Sequence, residues 1–356
     1  MQIADVQELP KVNPNTVKLI TLAIAKEKPD LIVFSGDQLY GLMPQFRGNT
    51  ENKVRGTIDA VLKPIEEAGI PFAVTYGNHD RQCGIPNEKQ TAFYAAHPGF
   101  VTAAAYEDEN DGVAFIPVNN SGKHVFDVVL IDSNGQSASG EYEPVKENQL
   151  KSYVRQRENS ANGGKNTPCL VIQHIPFEEY FKVIKKVPFY TRGRVEGYRN
   201  HAHEFYVLPD NIKASGGFML ESPAVPDKNS GEFDTVREGG NCLAVSVGHD
   251  HNNSFVAEHI GLKLIYTQGC GFNVYGPKKN RGVRVFDITD NGQSISMQTK
   301  TVTFADLTAD RVSRPVQEFV LTHIPTSLEQ VKRIAAVTAA AAAGASFAAY
   351  KIIKKC

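Results

Sequence analysis

Residues Leu31-Ile-Val-Phe-Ser-Gly-Asp37 read as a buried β-strand that stops at a glycine and presents a carboxylate. An uninterrupted apolar run is typical of a strand covered on both faces of an α/β sheet. In open sheets of this class, ligands bind outside the carboxyl ends of the strands. The stretch therefore predicts a functional carboxylate, Asp37, at the edge of a sheet.

Four further segments repeat the pattern of an apolar strand followed by polar residues, and they begin near residues 2, 72, 169 and 243. The polar residues at their ends are Asp5; Asn78, His79 and Asp80; His174; and His249 and His251. His249 and His251 are separated by one residue, so in an extended segment their side chains point the same way. A single histidine is more often a structural residue than a ligand, but five such strand ends together indicate a metal site.

Helix patterns alternate with the first strands. Asn13 can cap a helix with Pro14 at its first position, and a second helix is predicted over 52–68 with Gly69 at its C-cap. This β-α-β-α-β order predicts parallel strands. Further predicted elements are helices at 87–96 and 145–158, a strand at 126–132, and strands at 243–247, 263–267, 283–288 and 296–303, paired as hairpins in a second sheet.

Residues 187–240 are rich in Gly, Pro, Arg, Asn and Glu and show little periodicity, which predicts a long loop. Long loops in compact domains are usually functional. Guanidinium groups suit a phosphate oxyanion, although a solvated basic loop is the commoner arrangement. The cationic candidates for substrate binding in this loop are Arg192 and Arg194, followed by Arg199, His201 and His203.

The composition limits the classes of function. The 356 residues are 41% hydrophobic with a formal net charge of -1 and a pI near 6.8, so the chain lacks the basic surplus typical of nucleic-acid-binding proteins. We expect small or neutral partners and no nucleic acid. Five cysteines, an odd number, favour free thiols in a reducing compartment, and the predicted location is cytoplasmic.

The C-terminal segment is the second informative stretch. Residues 334–350 carry no charge, and ten of these seventeen residues are alanine. Seventeen residues are at the lower limit for spanning a bilayer, and alanine contributes little insertion energy. The sequence predicts an Ala-rich helix over 326–356. It either anchors the protein to a membrane with the catalytic domain in the cytosol, or ends the domain as a frayed or packed helix.

Two metal ions about 3.5–4 Å apart need a bridging carboxylate, further oxygen and nitrogen ligands, and open positions for water and phosphate. The strand-end residues that supply such a set are Asp5, Asp37, Asn78, His174, His249 and His251.

The motifs Gly36-Asp37, Gly77-Asn78-His79-Asp80, the lone His174 and Gly248-His249-x-His251 resemble the ordered motifs of the calcineurin-like metallophosphoesterase superfamily. The resemblance runs from Asp5 to about residue 288 and implies an α/β fold, a four-layer α/β/β/α sandwich of two mixed sheets flanked by helices. The implied catalytic domain is residues 1–305, with 187–240 as an insertion at the active site.

The resemblance also implies the roles of the site residues. Asp37 would bridge two metal ions, chosen from Fe, Mn and Zn. Asn78, His174 and His249 would bind one ion, and Asp5 and His251 the other. His79 would protonate the leaving oxygen. Asp80 would orient or charge its imidazole, or else be a solvated loop acid or a turn cap.

One position departs from the superfamily pattern. The first motif is usually Asp-x-His, and here Gln7 takes the place of the histidine. Tyr40 follows Asp37 by three residues, and Gly-Asp-x-x-Tyr is similar to the purple acid phosphatase branch, in which a tyrosinate binds iron. The order of Asp-Val-Gln, Gly-Asp-Gln and Gly-Asn-His-Asp, with the later Glu221-Ser-Pro loop, also resembles the bacterial and fungal branch near the Dcr2-type phosphatases. Tyr40 is therefore a candidate ligand, and a packed core tyrosine is the alternative.

The resemblance implies a phosphomonoesterase in which metal ions lower the pKa of a bound water to generate the hydroxide nucleophile. A phosphodiesterase or nuclease of the same fold is one alternative. Because Gln7 leaves the first metal site a ligand short, a non-catalytic binding scaffold with an eroded metal site is the other.

Overall fold

Two large mixed β-sheets form the centre of the protein in a computed structural model that describes residues 1–107, 110–137, 139–159 and 167–323, together with Ala335. The strands in chain order are β1 (Gln2–Ile3), β2 (Ile32–Ser35), β3 (Phe72–Thr75), β4 (Phe100–Ala104), β5 (Tyr106–Glu107), β6 (Asn110–Asp111), β7 (Val113–Asn120), β8 (Lys123–Ile131), β9 (Cys169–Ile172), β10 (Lys185–Val187), β11 (Val195–Glu196), β12 (Phe205–Val207), β13 (Phe218–Met219), β14 (Cys242–Val247), β15 (Asn253–His259), β16 (Leu262–Tyr266), β17 (Gly282–Asp290) and β18 (Ile295–Thr303). The α-helices are α1 (Pro14–Glu27), α2 (Thr50–Ala68), α3 (Asn87–Ala95), α4 (Glu147–Asn159), α5 (Asp210–Ala214), α6 (Glu232–Glu238), α7 (Phe304–Leu307) and α8 (Pro315–Thr322).

The first sheet has the strand order β18-β17-β1-β2-β3-β4. Strands β1 to β4 are parallel, which confirms the prediction from the β-α-β-α-β pattern. The helix ends between them are also confirmed. The side chain of Asn13 accepts a hydrogen bond from the backbone N–H of Asn15, and Gly69 ends α2 in the left-handed conformation at φ 66°.

The second sheet has the order β13-β15-β16-β14-β9-β8-β7. The prediction that the four C-terminal strands form hairpins within it is wrong. Strands β14 and β16 are neighbours and run parallel. This is because β15, which the sequence pattern did not reveal, lies between them in the chain and pairs antiparallel with the other edge of β16. The hairpin β17–β18 instead joins the first sheet, where β17 pairs antiparallel with β1.

Alternation of side chains along the strands divides the core into three layers. In β2, Ile32 and Phe34 face α1 and α2, whereas Val33 lies between the two sheets. In β9, Leu170 belongs to the layer between the sheets, and Val171 faces the opposite side toward α4 and α6. Period-two alternation in doubly covered strands thus produces the α/β/β/α sandwich that the resemblance implies.

The segment 187–240 is not a single irregular loop. It contains β11, β12 and β13 and the short helices α5 and α6, and β10, β12 and β11 form a small three-stranded antiparallel sheet. The prediction of one long loop failed because these elements are only two to seven residues long, too short to show a periodic pattern.

The predicted C-terminal helix at 326–356 lies outside the described residues apart from Ala335, so the membrane anchor stays a prediction. Within the part of the chain that the structure describes, no helix combines the length and the apolar character needed to cross a bilayer.

Phe72 tests the packing of the first sheet against its helices. Its ring is fully buried and makes edge contacts with Phe34 and Phe100 at 6.5 and 5.8 Å between ring centroids. We expect Phe72→Ala to lower the free energy of unfolding by about 3–5 kcal/mol, measured by chemical denaturation, because a large cavity replaces the ring. Phe189→Ala, at a ring that is 66% exposed, is the control; equal losses in the two variants would contradict this packing.

Glu232, at the start of α6, predicts a pH dependence of stability. Burial and the charge of Glu179 raise the pKa of Glu232 from 4.5 to about 8. Between these values the folded state retains a proton that the unfolded state has released, so the free energy of unfolding falls as the pH rises. We expect Glu232→Gln to gain stability relative to the wild type as the pH rises from 4.5 to 8 in urea titrations. Glu238→Gln, at an exposed site on the same helix, should show no such trend, and parallel curves for Glu232→Gln and the wild type would refute the prediction.

Candidate metal centre

The candidate ligands meet where strands from both sheets end. Asp5 and Asp37 follow the parallel strands β1 and β2 of the first sheet, and His174 and His249 follow the parallel strands β9 and β14 of the second. Ligand atoms of Asp37, His174 and His249 lie within 4.8 Å of one another, and so do those of Asp5, Asp37 and His251. Asp37 belongs to both groups, so its carboxylate is placed to be shared by two ions.

Strained backbone turns the ligand side chains toward this point. Asp5, Asp37 and His249 have left-handed φ angles of 51°, 52° and 72°. Such conformations are unfavourable for residues other than glycine, and they cluster at functional sites where the surrounding structure holds them in place.

The glycines of the motifs make room for the ligands. A Cβ atom at Gly36 would lie 2.5 Å from the imidazole of His174, and one at Gly77 would lie 2.2 Å from Oδ1 of Asp37. Both positions therefore need glycine for a steric reason, which explains why each motif begins with it.

The carboxylate of Asp37 is held on both sides. Its Oδ1 accepts a hydrogen bond from the backbone N–H of His79 at 2.8 Å, and its Oδ2 accepts one from Nε2 of Gln7 at 2.8 Å. Nε2 of His174 lies 3.2 Å from the same Oδ2. Burial opposes the charged form of His174, but the neighbouring carboxylate of Asp37 outweighs it and raises the pKa of His174 to about 10.

Backbone carbonyl groups orient two of the imidazoles. Nδ1 of His174 donates to the carbonyl oxygen of Ser35 at 3.0 Å, and Nδ1 of His251 donates to that of Tyr275 at 2.9 Å. Each ring therefore turns its Nε2 toward the carboxylates. This is how proteins commonly fix the tautomer of a metal-binding histidine.

Unpartnered oxygen atoms also fit a metal centre. Oδ1 of Asn78 and Oε1 of Gln7 are buried without a hydrogen-bond partner. Buried polar atoms are nearly always hydrogen-bonded, so two such oxygens beside a cluster of carboxylates and imidazoles suit bound cations. Asn78, His174, His249 and Asp37 would hold one ion, and Asp5, His251 and Asp37 the other.

His79 and Asp80 have different surroundings from each other. Nδ1 of His79 lies 2.5 Å from Oε1 of Gln82. The carboxylate of Asp80 instead accepts hydrogen bonds from the backbone N–H groups of Asp37, Leu39 and Gly77 at 2.8–2.9 Å. The predicted contact between Asp80 and the imidazole is therefore replaced by one from Gln82, and Asp80 holds the turns that present Asp37 and Asn78.

Tyr40, the candidate ligand from the Gly-Asp-x-x-Tyr motif, contacts the candidate acid His79. Its half-buried ring packs edge-on against His79 with centroids 5.4 Å apart. Burial and the charge of Asp37 raise the pKa of Tyr40 in the metal-free site. The role of Tyr40 as a metal ligand stays a prediction, and so does the packed core tyrosine that is its alternative.

The predicted cationic residues divide into those that line a cavity at the site and those that do not. Arg194 lines a cavity of about 480 Å³ in front of Asp37, whereas Arg192 is exposed and is not among the residues that line it. Arg199 also reaches the cavity wall, but its guanidinium forms a two-pronged ion pair with Asp227. His201 stacks on Phe181 with ring centroids 3.7 Å apart, and His203 lies on the exposed rim.

Several residues of the site were not found from the sequence. Tyr142 contacts His249 edge-on with centroids 4.6 Å apart, and Tyr275 stacks flat on His251 at 4.3 Å. The hydroxyl of Tyr275 donates to the buried carboxylate of Glu221 at 3.1 Å. These residues lie in loops without periodicity, so only the Glu221-Ser-Pro stretch in the resemblance to the Dcr2-type phosphatases gave a signal.

The chain matches the family model for calcineurin-like phosphoesterases over residues 1–253. It belongs to the calcineurin-like phosphoesterase family. Membership and the two ligand groups around Asp37 together support a two-metal centre.

Curated relatives lie in the branches that the motifs suggested. "Probable inactive purple acid phosphatase 14" from Arabidopsis thaliana is 28% identical over 280 residues, covering 74% of this chain and 63% of its own length. "Phosphatase DCR2" from Saccharomyces cerevisiae is 24% identical over 69% of this chain and 40% of its own length. The chain thus spans less than two thirds of these relatives. The crystal structure of a dimetal phosphatase from Danio rerio aligns at 13% identity and a TM-score of 0.45, covering 85% of this chain and 98% of that one.

Asp80 allows a test of how the ligand turns are held. We expect Asp80→Asn to lower the free energy of unfolding by about 1–3 kcal/mol, because an amide can accept with only one oxygen and leaves buried N–H groups unsatisfied. Chemical denaturation measures the loss. Asp210→Asn, at an exposed carboxylate, is the control and should leave the denaturation midpoint unchanged. An unchanged midpoint for Asp80→Asn as well would show that the hydrogen bonds of Asp80 do not stabilise these turns.

Proposed function

We propose that this calcineurin-like phosphoesterase hydrolyses phosphomonoesters, with a small phosphorylated molecule or a phosphoprotein as substrate. The observation that supports this most directly is the convergence of Asp37 with two groups of ligands on a cavity that also contains His79. Metal ions bound there would neutralise the phosphoryl oxygens and acidify a water molecule for attack on phosphorus.

The residues of the chain would position the ester and move the leaving-group proton. In the protonated imidazole of His79, Nδ1–H donates to Gln82, and this leaves Nε2–H to protonate the departing oxygen. Arg194 in the cavity wall is placed to contact the phosphoryl group or its substituent. Arg192, which faces solvent, has no such role in this proposal.

The residues that line the cavity favour a phosphomonoester over a nucleic acid as the substrate. The arginines in its wall are Arg194 and the ion-paired Arg199, and three tyrosines also line it. A groove that tracks a polynucleotide backbone presents a continuous row of cations. The names of three curated relatives include the word inactive. An activity assay must therefore distinguish a hydrolase from a non-catalytic binding scaffold.

His79 gives the sharpest test of the chemistry. With metal supplied, we expect hydrolysis of both para-nitrophenyl phosphate and an alkyl phosphomonoester. His79→Asn should reduce kcat for the alkyl ester by about 10²–10⁴-fold and change the nitrophenyl reaction far less, because nitrophenolate departs without a proton. Steady-state kinetics measures both substrates, and Arg192→Gln is the control that should match the wild type.

Other outcomes select the other functions. Faster hydrolysis of bis(para-nitrophenyl) phosphate than of the monoester would identify a phosphodiesterase. Absence of hydrolysis of either ester by protein that carries its metal would identify a scaffold. An equal loss for both monoesters in His79→Asn would mean that His79 is not the acid.

A further inference from the structure

Gln7 is a residue of the site with an incomplete set of hydrogen bonds. Its side chain is 1% exposed, and it follows the candidate ligand Asp5 by two residues. The amide nitrogen Nε2 donates to Oδ2 of Asp37 at 2.8 Å, which fixes the direction of the amide plane. The amide oxygen Oε1 is then left buried with no hydrogen-bond partner. An unsatisfied buried acceptor destabilises the folded protein, so a bound group that used this oxygen would remove that penalty.

The backbone around Gln7 holds this arrangement in place. Gln7 has a left-handed φ of 36°, and its backbone N–H donates to the carbonyl oxygen of Asp37 at 2.7 Å. The side chain lines the cavity together with Asp37 and His251. Strain at a non-glycine residue, held by a short hydrogen bond beside a ligand cluster, is the kind that proteins retain for a function.

The neighbouring ligand group has room for one more donor. Asp5, Asp37 and His251 offer three ligand atoms, and metal ions in proteins usually take four or more ligands. The ring of Tyr40 packs edge-on against His79. We propose that Oε1 of Gln7 is the fourth protein ligand of the ion held by Asp5, Asp37 and His251. This assignment rests on the two-metal centre of the proposed function.

The assignment makes the two halves of the centre chemically different. The site of Gln7 would offer three oxygen donors and one imidazole, whereas the other site would offer His174 and His249 with the oxygens of Asp37 and Asn78. Carboxylate and carbonyl oxygens suit Mn²⁺ or Mg²⁺, and imidazole suits Zn²⁺. The ion beside Gln7 should therefore be the harder of the two.

Metal binding by the full chain tests this assignment without relying on activity. Protein stripped with a chelator is titrated with Mn²⁺ alone and with Zn²⁺ alone by isothermal titration calorimetry, and the ion content is checked by mass spectrometry. We expect two ions per wild-type chain. Gln7→Leu should weaken one Mn²⁺ site by at least about 10–100-fold, since the loss of even an outer-shell partner typically costs that much.

Matched variants separate the ligand from its position. Gln7→Glu retains an oxygen at the same distance and should retain both Mn²⁺ ions. Gln7→His should shift the ratio of affinities at the weaker site toward Zn²⁺ by at least about 10-fold. Tyr40→Phe is the control and should bind both ions as the wild type does.

The possible results are distinguishable. Two Mn²⁺ ions at wild-type affinity in Gln7→Leu, or an unchanged Mn²⁺ to Zn²⁺ ratio in Gln7→His, would overturn the assignment. Loss of an ion in Tyr40→Phe would show that Tyr40, and not Gln7, is the fourth ligand. A wild-type chain that takes up no ions would remove the two-metal centre and with it the proposed function. Circular dichroism of the stripped proteins shows whether each variant is folded; if Gln7→Leu is not, the Gln7→His comparison still decides.

Discussion

The position of the Asp37 carboxylate is the constraint on which the rest of the site depends. One oxygen accepts from the backbone of His79 and the other from the side chain of Gln7, while the backbone N–H of Asp37 is itself held by Asp80. Asp37 lies in a left-handed turn directly after β2, where strands of both sheets end. Each neighbour of Asp37 is thereby placed relative to one fixed point, which is the requirement for ligands that come from distant parts of the chain.

The sandwich brings these distant residues together. The carboxyl ends of parallel strands lie at the same edge of a sheet, and here two sheets packed face to face bring two such edges together. The layer of small and branched apolar residues between the sheets, including Val33, Ala73 and Ala244, permits that close packing. Asp5 and His251 are therefore neighbours although 246 residues separate them in the sequence, and Nε2 of His251 lies 3.3 Å from Oδ1 of Asp5.

Much of the centre could be predicted from the sequence because strand-end motifs carry it. Continuous apolar runs followed by a ligand residue identified Asp37, His174 and the 249/251 pair, and the periodic helices indicated the parallel half of the first sheet. The missed parts share a physical cause. Strand β15 has a mixed polar sequence, and the elements of 187–240 are too short for periodicity. The contacts of Asp80 with the backbone N–H groups of Asp37 and Leu39 and the stacking of Tyr275 on His251 depend on tertiary geometry that no local pattern encodes.

Family membership and ligand geometry point to phosphoester chemistry, and the departures from the family pattern bear on which metal ions take part. Gln7 lies where an imidazole is usual, and Tyr40 packs against the candidate acid. The most direct test of the central claim, that Asp37 is shared by two ions, is anomalous X-ray diffraction from crystals soaked in Mn²⁺. The account predicts two anomalous peaks, both within coordination distance of the Asp37 carboxylate and with His174 and His251 on different ions. A single peak, or peaks that do not share Asp37, would contradict it.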